Sequence, residues 1–318
     1  ARAFVLAKVN AAVAPARVEV RDWSLAWFGE QRVEGVAYED ARSGVQAKVR
    51  ALRMNSLWAL LPLGKMTVEV AVEAPEVTLG AAKAAPAPVA SASAPAEAAP
   101  RAPFVLPAWD LSAKLTITEA TVRLAALPEP LVTQGRAELT VPSLDKDIVL
   151  TLGAHLLKDA TFSTEATLPS AQALLAATAP ADFLRKVNVN LEAPWAQVIA
   201  VATAETEGVA LPEVKCNAEV RLAEAFARAK AFGAKVPGLD AIAGDLALAA
   251  TLAPAKTAGA QSVTLNLHSK EVACTYERKT LRLSPRLNLA ATVDPERPLA
   301  ATLERLSLDF PGLLASGS

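Results

Sequence analysis

The residues in this sequence that are best suited to catalysis or metal binding are two histidines, His155 and His268, and two cysteines, Cys216 and Cys274. A catalytic histidine needs a nucleophile and an orienting acid within hydrogen-bond reach, and no motif of that kind surrounds either histidine. Each histidine lies in or at the end of an alternating run, where a solitary histidine is roughly ten times more often structural than catalytic. We therefore predict that the chain is not an enzyme.

The residues that could bind a metal ion or a cofactor do not form a recognisable site, so we predict neither. Two thiols supply only half of a tetrahedral zinc site, and both histidines are distant in sequence. Cys216 and Cys274 each alternate with apolar neighbours, which favours two buried free thiols in strands over one disulfide. The Asp145-Lys146-Asp147 segment lacks the glycine and distal glutamate of a calcium loop and is typical of a turn. No glycine-rich phosphate loop occurs.

Charge and hydrophobicity exclude two further classes. The 318 residues include 32 Lys+Arg and 33 Asp+Glu, for a net charge of -1, and these charges are dispersed along the chain. Binding to a phosphate backbone needs clustered positive charge, so we predict no nucleic-acid partner. Although 52% of residues are hydrophobic, no window contains the roughly 20 continuous apolar residues of a membrane-spanning helix.

Alternation of apolar and polar residues is the dominant pattern, and it is typical of strands joined by short turns in an antiparallel sheet. Four segments break this period and predict short capping helices at residues 1–14 and near 170–178, 195–205 and 222–232. The fold class is therefore predicted as α+β, mainly β. The first helix either caps a sheet edge or is the tail of a membrane anchor.

Composition also divides the chain. Residues 81–103 are rich in Pro, Ala and Ser and cannot bury enough apolar surface to offset their ordering entropy, which predicts a disordered linker. The linker separates an N-terminal strand and helix unit, residues 1–80, from residues 104–318, which we expect to continue the sheet. A glycine precedes an alternating strand in both Gly135–Leu139 and Gly244–Leu248, but the spacing is too irregular for a strict repeat.

The N-terminal unit has a definite order of elements. An aromatic strand containing Trp23 and Trp27 ends at a glycine turn, and core packing is a more common role for its tryptophans than a groove wall. A second strand ends at the acidic turn from Asp40 to Gly44, and a third strand follows. An apolar helical turn at residues 56–61 then precedes two short strands on either side of Pro75.

This order of elements, followed by a Pro/Ala-rich linker, resembles the N-terminal unit of the AsmA-like family of bacterial envelope proteins. The resemblance implies a periplasmic protein held at the inner membrane by an N-terminal anchor that this chain lacks. It also implies that the antiparallel sheet is long and curved, forming an open half-barrel or groove. Such a groove would shield phospholipid or other acyl chains between the inner and outer membranes, and other envelope proteins are possible partners.

The chain begins with Ala1 rather than methionine and closes on a strand-like segment, so we expect a fragment of a longer protein. We predict that the groove is lined by apolar residues of the strands after the linker: Leu111, Leu115, Ile117, Leu139, Leu150, Leu246, Leu248, Val263, Leu265, Leu287 and Leu289. The alternative is an envelope scaffold without lipid cargo, whose sheet is closed by its own helices. Alternation alone does not separate these two functions, because core and groove give the same pattern.

Overall fold

A computed structural model gives the fold of this chain. It describes residues 2–24, 26, 28–40, 42–56, 66–80, 110–177, 180–204, 212–232, 237–255, 260–277, 279–294, 297–309 and 314–317. Strands dominate and helices are few and short, so the predicted class, α+β and mainly β, is confirmed. The linker predicted at 81–103 and most of the helical turn predicted at 56–61 lie outside the described residues.

The chain forms two compact units. Unit 1 comprises residues 1–158 and 169–176, and unit 2 comprises residues 159–168 and 177–318. The division falls near residue 158 and not at the Pro/Ala-rich segment. The strands that precede and follow that segment therefore belong to one unit.

Unit 1 contains two short helices and eight strands among its described residues. They are α1 (Arg2–Val13), β1 (Arg17–Ser24), β2 (Gln31–Asp40), β3 (Val45–Met54), β4 (Met66–Glu73), β5 (Glu76–Leu79), β6 (Leu111–Leu124), β7 (Val132–Val141), β8 (Ile148–Leu156) and α2 (Ala171–Ala176). The helices predicted at 1–14 and 170–178 are thus confirmed as α1 and α2. Ser170 caps α2, since its hydroxyl accepts a bond of 3.3 Å from the amide of Ala173.

The sheet of unit 1 is mixed. β1, β2 and β3 pair antiparallel in sequence order, and β3 pairs with both β4 and β5. β6 then runs parallel to β4 and β5, and β7 and β8 follow antiparallel. The expectation of an antiparallel sheet is therefore wrong at this one strand. A parallel neighbour needs a long crossover connection, and residues 80–110 are long enough to supply it.

Helix α1 closes the outer side of β1 through one side chain. The amide nitrogen of Asn10 donates to the carbonyl of Val18 at 3.0 Å, and its oxygen accepts from the amide of Val18 at 2.6 Å. In the described residues β1 pairs only with β2. Asn10 therefore satisfies a donor and an acceptor that a neighbouring strand would otherwise use, and so protects an edge strand. The predicted role of this helix as an edge cap is the one that the contact supports.

Asn10→Ala should open this edge. We expect a loss of about 1–2 kcal/mol in the free energy of unfolding, because one backbone donor and one acceptor lose partly buried partners. Hydrogen exchange of the Val18 amide should become faster. Asn10→Asp is the matched control: it keeps the acceptor, so the amide of Val18 should stay protected. Equal exchange rates in the wild type and in Asn10→Ala would contradict the assignment.

Unit 2 is an antiparallel ladder. Its strands are β9 (Ala160–Leu168), β10 (Lys186–Ala193), β11 (Ala196–Thr203), β12 (Glu213–Arg221), β13 (Leu239–Pro254), β14 (Gln261–Tyr276), β15 (Lys279–Leu283), β16 (Arg286–Asp294), β17 (Arg297–Asp309) and β18 (Leu314–Gly317). β9 to β14 pair in sequence order, and β14 then pairs with both β15 and β16. β17 pairs with β16, and β18 pairs with β15.

The helical prediction for 222–232 is confirmed as α3 (Leu222–Ala231), but the prediction for 195–205 is wrong. That segment is β11, paired along its whole length with β10 on one side and β12 on the other. Its alanines favour a helix by intrinsic propensity. The β-branched Val198, Ile199 and Val201 and two complete hydrogen-bonded ladders outweigh that preference.

Three residues of unit 1 with positive φ lie side by side across the sheet, and we call this group the crease. Its members Ala74, Glu119 and Gln134 have φ of 45°, 58° and 50°. They lie at one level, because the amide of Ala74 donates to the carbonyl of Thr118 at 2.9 Å and Ala120 lies opposite Gly135. Glu119 therefore bends one continuous strand, β6.

A bulge in unit 2 depends on Gly244. Its φ is 109°, and the facing residue Glu271 has a φ of 49°. The register shifts by one residue between Ala243 and Asp245 at this point. A Cβ on Gly244 would lie 2.7 Å from the carbonyl oxygen of Glu271 and 2.8 Å from the Cα of Val272. Gly135 is equally close to Ala120, so both glycines noticed in the sequence stand where two strands approach closely.

Gly244→Ala should therefore destabilise unit 2. We expect a loss of about 1–3 kcal/mol in the free energy of unfolding, since alanine disfavours this φ and its Cβ would strike backbone atoms that cannot move away. Urea unfolding followed by tryptophan fluorescence measures the change. Gly29→Ala is the control, because its Cβ would meet only the Cβ of Ala26 at 3.4 Å. Similar unfolding midpoints for both variants would refute this account.

Candidate functional site

Cross-strand register places the apolar residues of unit 2 in rows that cross eight strands, β9 to β14, β16 and β17. Partners in a ladder share a face of the sheet, so each row lies on one face, and we call the three rows together the apolar face. The first row is Phe162, Leu191, Val198, Ala218, Leu248, Leu267, Leu287 and Leu308. The second is Thr164, Val189, Ala200, Cys216, Ala250, Leu265, Leu289 and Leu306. The third is Ala166, Val187, Ala202, Val214, Leu252, Val263, Ala291 and Leu303.

The opposite face of the same strands is polar. The row between the first two apolar rows is Ser163, Asn190, Ile199, Asn217, Ala249, Asn266, Asn288 and Ser307. Successive residues of a strand point to opposite faces, so these amides and hydroxyls lie behind the leucines. The sheet of unit 2 therefore has one polar face and one apolar face.

Five of the residues predicted to line a groove lie in the rows of this apolar face, and a sixth lies beside them on the same face. Leu248 and Leu287 lie in the first row, Leu265 and Leu289 in the second, and Val263 in the third. Leu246, two residues from Leu248 on β13, is on the same face. Whether these side chains contact lipid stays a prediction.

The other five predicted lining residues share a face in unit 1. Leu115, Leu139 and Leu150 form one row with Met54 and Val70. Ile117 lies in the neighbouring row and pairs with Val72 and Ala137. Leu111 pairs with Met66 at the start of β6. The eleven predicted residues thus belong to two faces, one in each unit.

Most residues of these faces are not buried as in a protein core, and Ala166 and Ala291 of the third row are the exceptions among the described rows. Among the described residues, the buried apolar side chains are mostly alanines: Ala16, Ala51, Ile148, Ala160, Ala166, Ala196, Val272 and Ala291. None of the eleven predicted residues is in this set, and all of them are partly exposed. Leu303, Leu306 and Leu308 are 55%, 58% and 58% exposed. Exposed apolar surface that is contiguous is found at protein, membrane and ligand interaction sites and in aggregation-prone patches.

Helix α3 of unit 2 buries none of its own side chains. It packs against β13 and β12. Two of its contacts are polar: Nζ of Lys230 donates to the carbonyl of Asp240 at 3.0 Å, and Arg228 lies 3.2 Å from Asp159.

Some members of the apolar face were missed from the sequence. Val198, Ala200 and Ala202 lie in the segment interpreted as helical, and no face can be assigned to a strand that is not recognised. Their alternation with Gln197, Ile199 and Val201 was obscured, because Ile199 is an apolar residue on the polar face and is 46% exposed. The β-branched content of the segment was the available signal.

Both cysteines are free, as the sequence favoured, but the expectation that they are buried is wrong, because both residues are partly exposed. Cys216 lies in the second row, opposite Ala200 and Ala250. Cys274 pairs with Ile242 and Leu281. Each thiol is partly exposed, so Cys216 is a natural reporter group within the apolar face.

A polar cleft of about 350 Å³ lies on the other face of unit 2. His268 lines it together with Glu219, Arg221, Asp245 and Lys270. In the ladder His268 stands between Ala247 and Arg286, neither of which can orient an imidazole as a base. In the part of the chain that the structure describes, no group of three His, Cys, Asp or Glu residues could hold a metal ion.

Ion pairs lie on the face of the unit 1 sheet that is opposite the row of Leu115, Leu139 and Leu150. Nζ of Lys114 lies 2.8 Å from Glu138, and Arg53 lies 2.8 Å from Glu73. The hydrogen bond to Glu138 raises the pKa of Lys114 above its ordinary value. Exposed pairs of this kind contribute little to stability. They make this face of the sheet hydrophilic, whereas the opposite face carries the leucines.

The chain matches no protein-family model, and no curated protein matches it either. No helix in the described ranges is both long and apolar enough to span a bilayer.

The exposure of Cys216 makes the openness of the apolar face measurable. We expect a small uncharged reagent, iodoacetamide, to alkylate Cys216 in the folded protein without denaturant, and a large anionic maleimide to react more slowly. Peptide mass spectrometry separates this thiol from Cys274. Lys215→Cys, next to it on the polar face, should react with both reagents. If Cys216 is modified only in denaturant, the face is covered.

Proposed function

We propose that this chain binds acyl lipid on the apolar face of unit 2 and shields the chains from water. The observation that carries the proposal is the set of three apolar rows across eight strands, in which the leucines stay partly exposed. A surface of this size is costly to leave in water. Each methylene of a bound acyl chain gains roughly 0.8 kcal/mol on transfer to such a surface, so no catalytic group is needed to hold the ligand.

Phospholipid is the cargo that we propose, and the transfer of phospholipid between the inner and outer membranes is the role. The resemblance of the N-terminal unit to AsmA-like proteins supports this cargo and this role. It also suggests the periplasm as the location and an inner-membrane anchor as the attachment. Unit 1 supports a similar role with its own row of Leu115, Leu139 and Leu150.

The helices favour lipid binding over a closed scaffold. A scaffold without cargo would bury its leucines under its own helices. The absence of any buried residue in α3 and the exposure of Leu303, Leu306 and Leu308 are opposite to that arrangement.

The test compares the two faces of one strand. Leu265→Asn together with Leu267→Asn should reduce lipid binding about tenfold or more, because each substitution removes apolar contact with the acyl chain. Thr264→Asn is the matched control on the opposite face, and its binding should equal that of the wild type. The leucines are partly exposed, so the double variant should fold.

Two readouts cover binding and transfer. Native mass spectrometry of detergent-free protein detects retained phospholipid, and donor and acceptor vesicles measure the movement of a fluorescent phosphatidylethanolamine. Retained lipid without movement would support binding and reject transfer. If the wild type neither retains phospholipid nor extracts the probe, or if Thr264→Asn loses as much as the double variant, the proposal fails.

A further inference from the structure

Strand β17 leaves the edge of the unit 2 sheet open. In the described residues it pairs with β16 and with no other strand. It is thirteen residues long, and three of its leucines are the exposed ends of the three apolar rows. Exposed edges of this length are usually blocked, as β1 is blocked by Asn10. The geometry of β17 therefore calls for a partner strand.

A bulge fixes what that partner must look like. Leu303 lies opposite Ala291 and Arg305 lies opposite Ala290, so Glu304 is an extra residue. Because of this insertion Leu303, Leu306 and Leu308 share the apolar face although their spacing is not two throughout. Arg305 and Ser307 face the other side, as does Glu304, whose carboxylate accepts a hydrogen bond from the hydroxyl of Thr292. A regular partner strand would need a register shift here, as β16 does.

We propose that a second copy of this chain pairs with β17 through its own β17, antiparallel and about a two-fold axis between Glu304 and Arg305. This register places Leu303 opposite Leu306 of the other copy, and Glu304 opposite Arg305 of the other copy. Symmetry repeats both pairs. The two bulges then coincide, and the alternation of apolar and polar residues stays in phase on both sides of the axis.

Charge and burial both favour this register. Opposite charges directly across an antiparallel pair stabilise it, and like charges destabilise it. The exposed leucines at 303 and 306 would cover each other across the new ladder. The apolar face would then run on from one copy into the next, which doubles the surface open to a ligand.

Charge reversal tests the pairing. Glu304→Lys and Arg305→Glu should each weaken self-association by about tenfold, because two opposite-charge pairs become two like-charge pairs. An equimolar mixture of the two variants should restore association, since lysine at 304 then faces glutamate at 305. Sedimentation equilibrium measures the mass, and wild type should approach twice the monomer mass at high concentration. Glu219→Lys, the same charge change on an internal strand, should associate like wild type.

Cysteine crosslinking tests the register itself. In a background without Cys216 and Cys274, a mixture of Leu303→Cys and Leu306→Cys chains should form an intermolecular disulfide, because directly opposed residues meet its geometry. Either variant alone should crosslink much less. A monomeric wild type, reversal variants that associate normally, or equal crosslinking in the unmixed samples would each overturn the proposal. Lipid binding by a monomer would leave the proposed function intact.

Discussion

Strand alternation is the constraint on which the rest of this structure depends. Each strand of unit 2 must send every second residue to the same side, and antiparallel register aligns those residues across eight strands. Leucine, valine and alanine occupy that side, and asparagine, serine and threonine dominate the other. Hydrogen-bonded ladders hold the sheet together, while the apolar side chains are left available because few of them are needed in a core.

The same constraint explains what sequence could predict. A period of two identifies strands and faces wherever it is unbroken, as at Leu246, Leu248 and Leu265. It fails where local composition competes, as at Ala200 and Ala202, whose alanine-rich surroundings indicate a helix until the neighbouring ladders are known.

Long-range pairing and backbone kinks were beyond the reach of the sequence. The parallel placement of β6 beside β4 depends on the direction in which a long connection returns to the sheet, and no local residue records that choice. Glu119 gives no sign in the sequence that it adopts a positive φ, since glutamate rarely does so. The burial state of the leucines was equally hidden, because it depends on what covers them.

The crease in unit 1 has a consequence for how such a sheet can evolve. Its bends lie at Ala74, Glu119 and Gln134, where the backbone φ is positive. Substitutions on the apolar rows can therefore accumulate while the curvature of the strands is inherited unchanged. In related sequences, the side chains of the apolar surface can therefore change faster than the backbone path of the sheet.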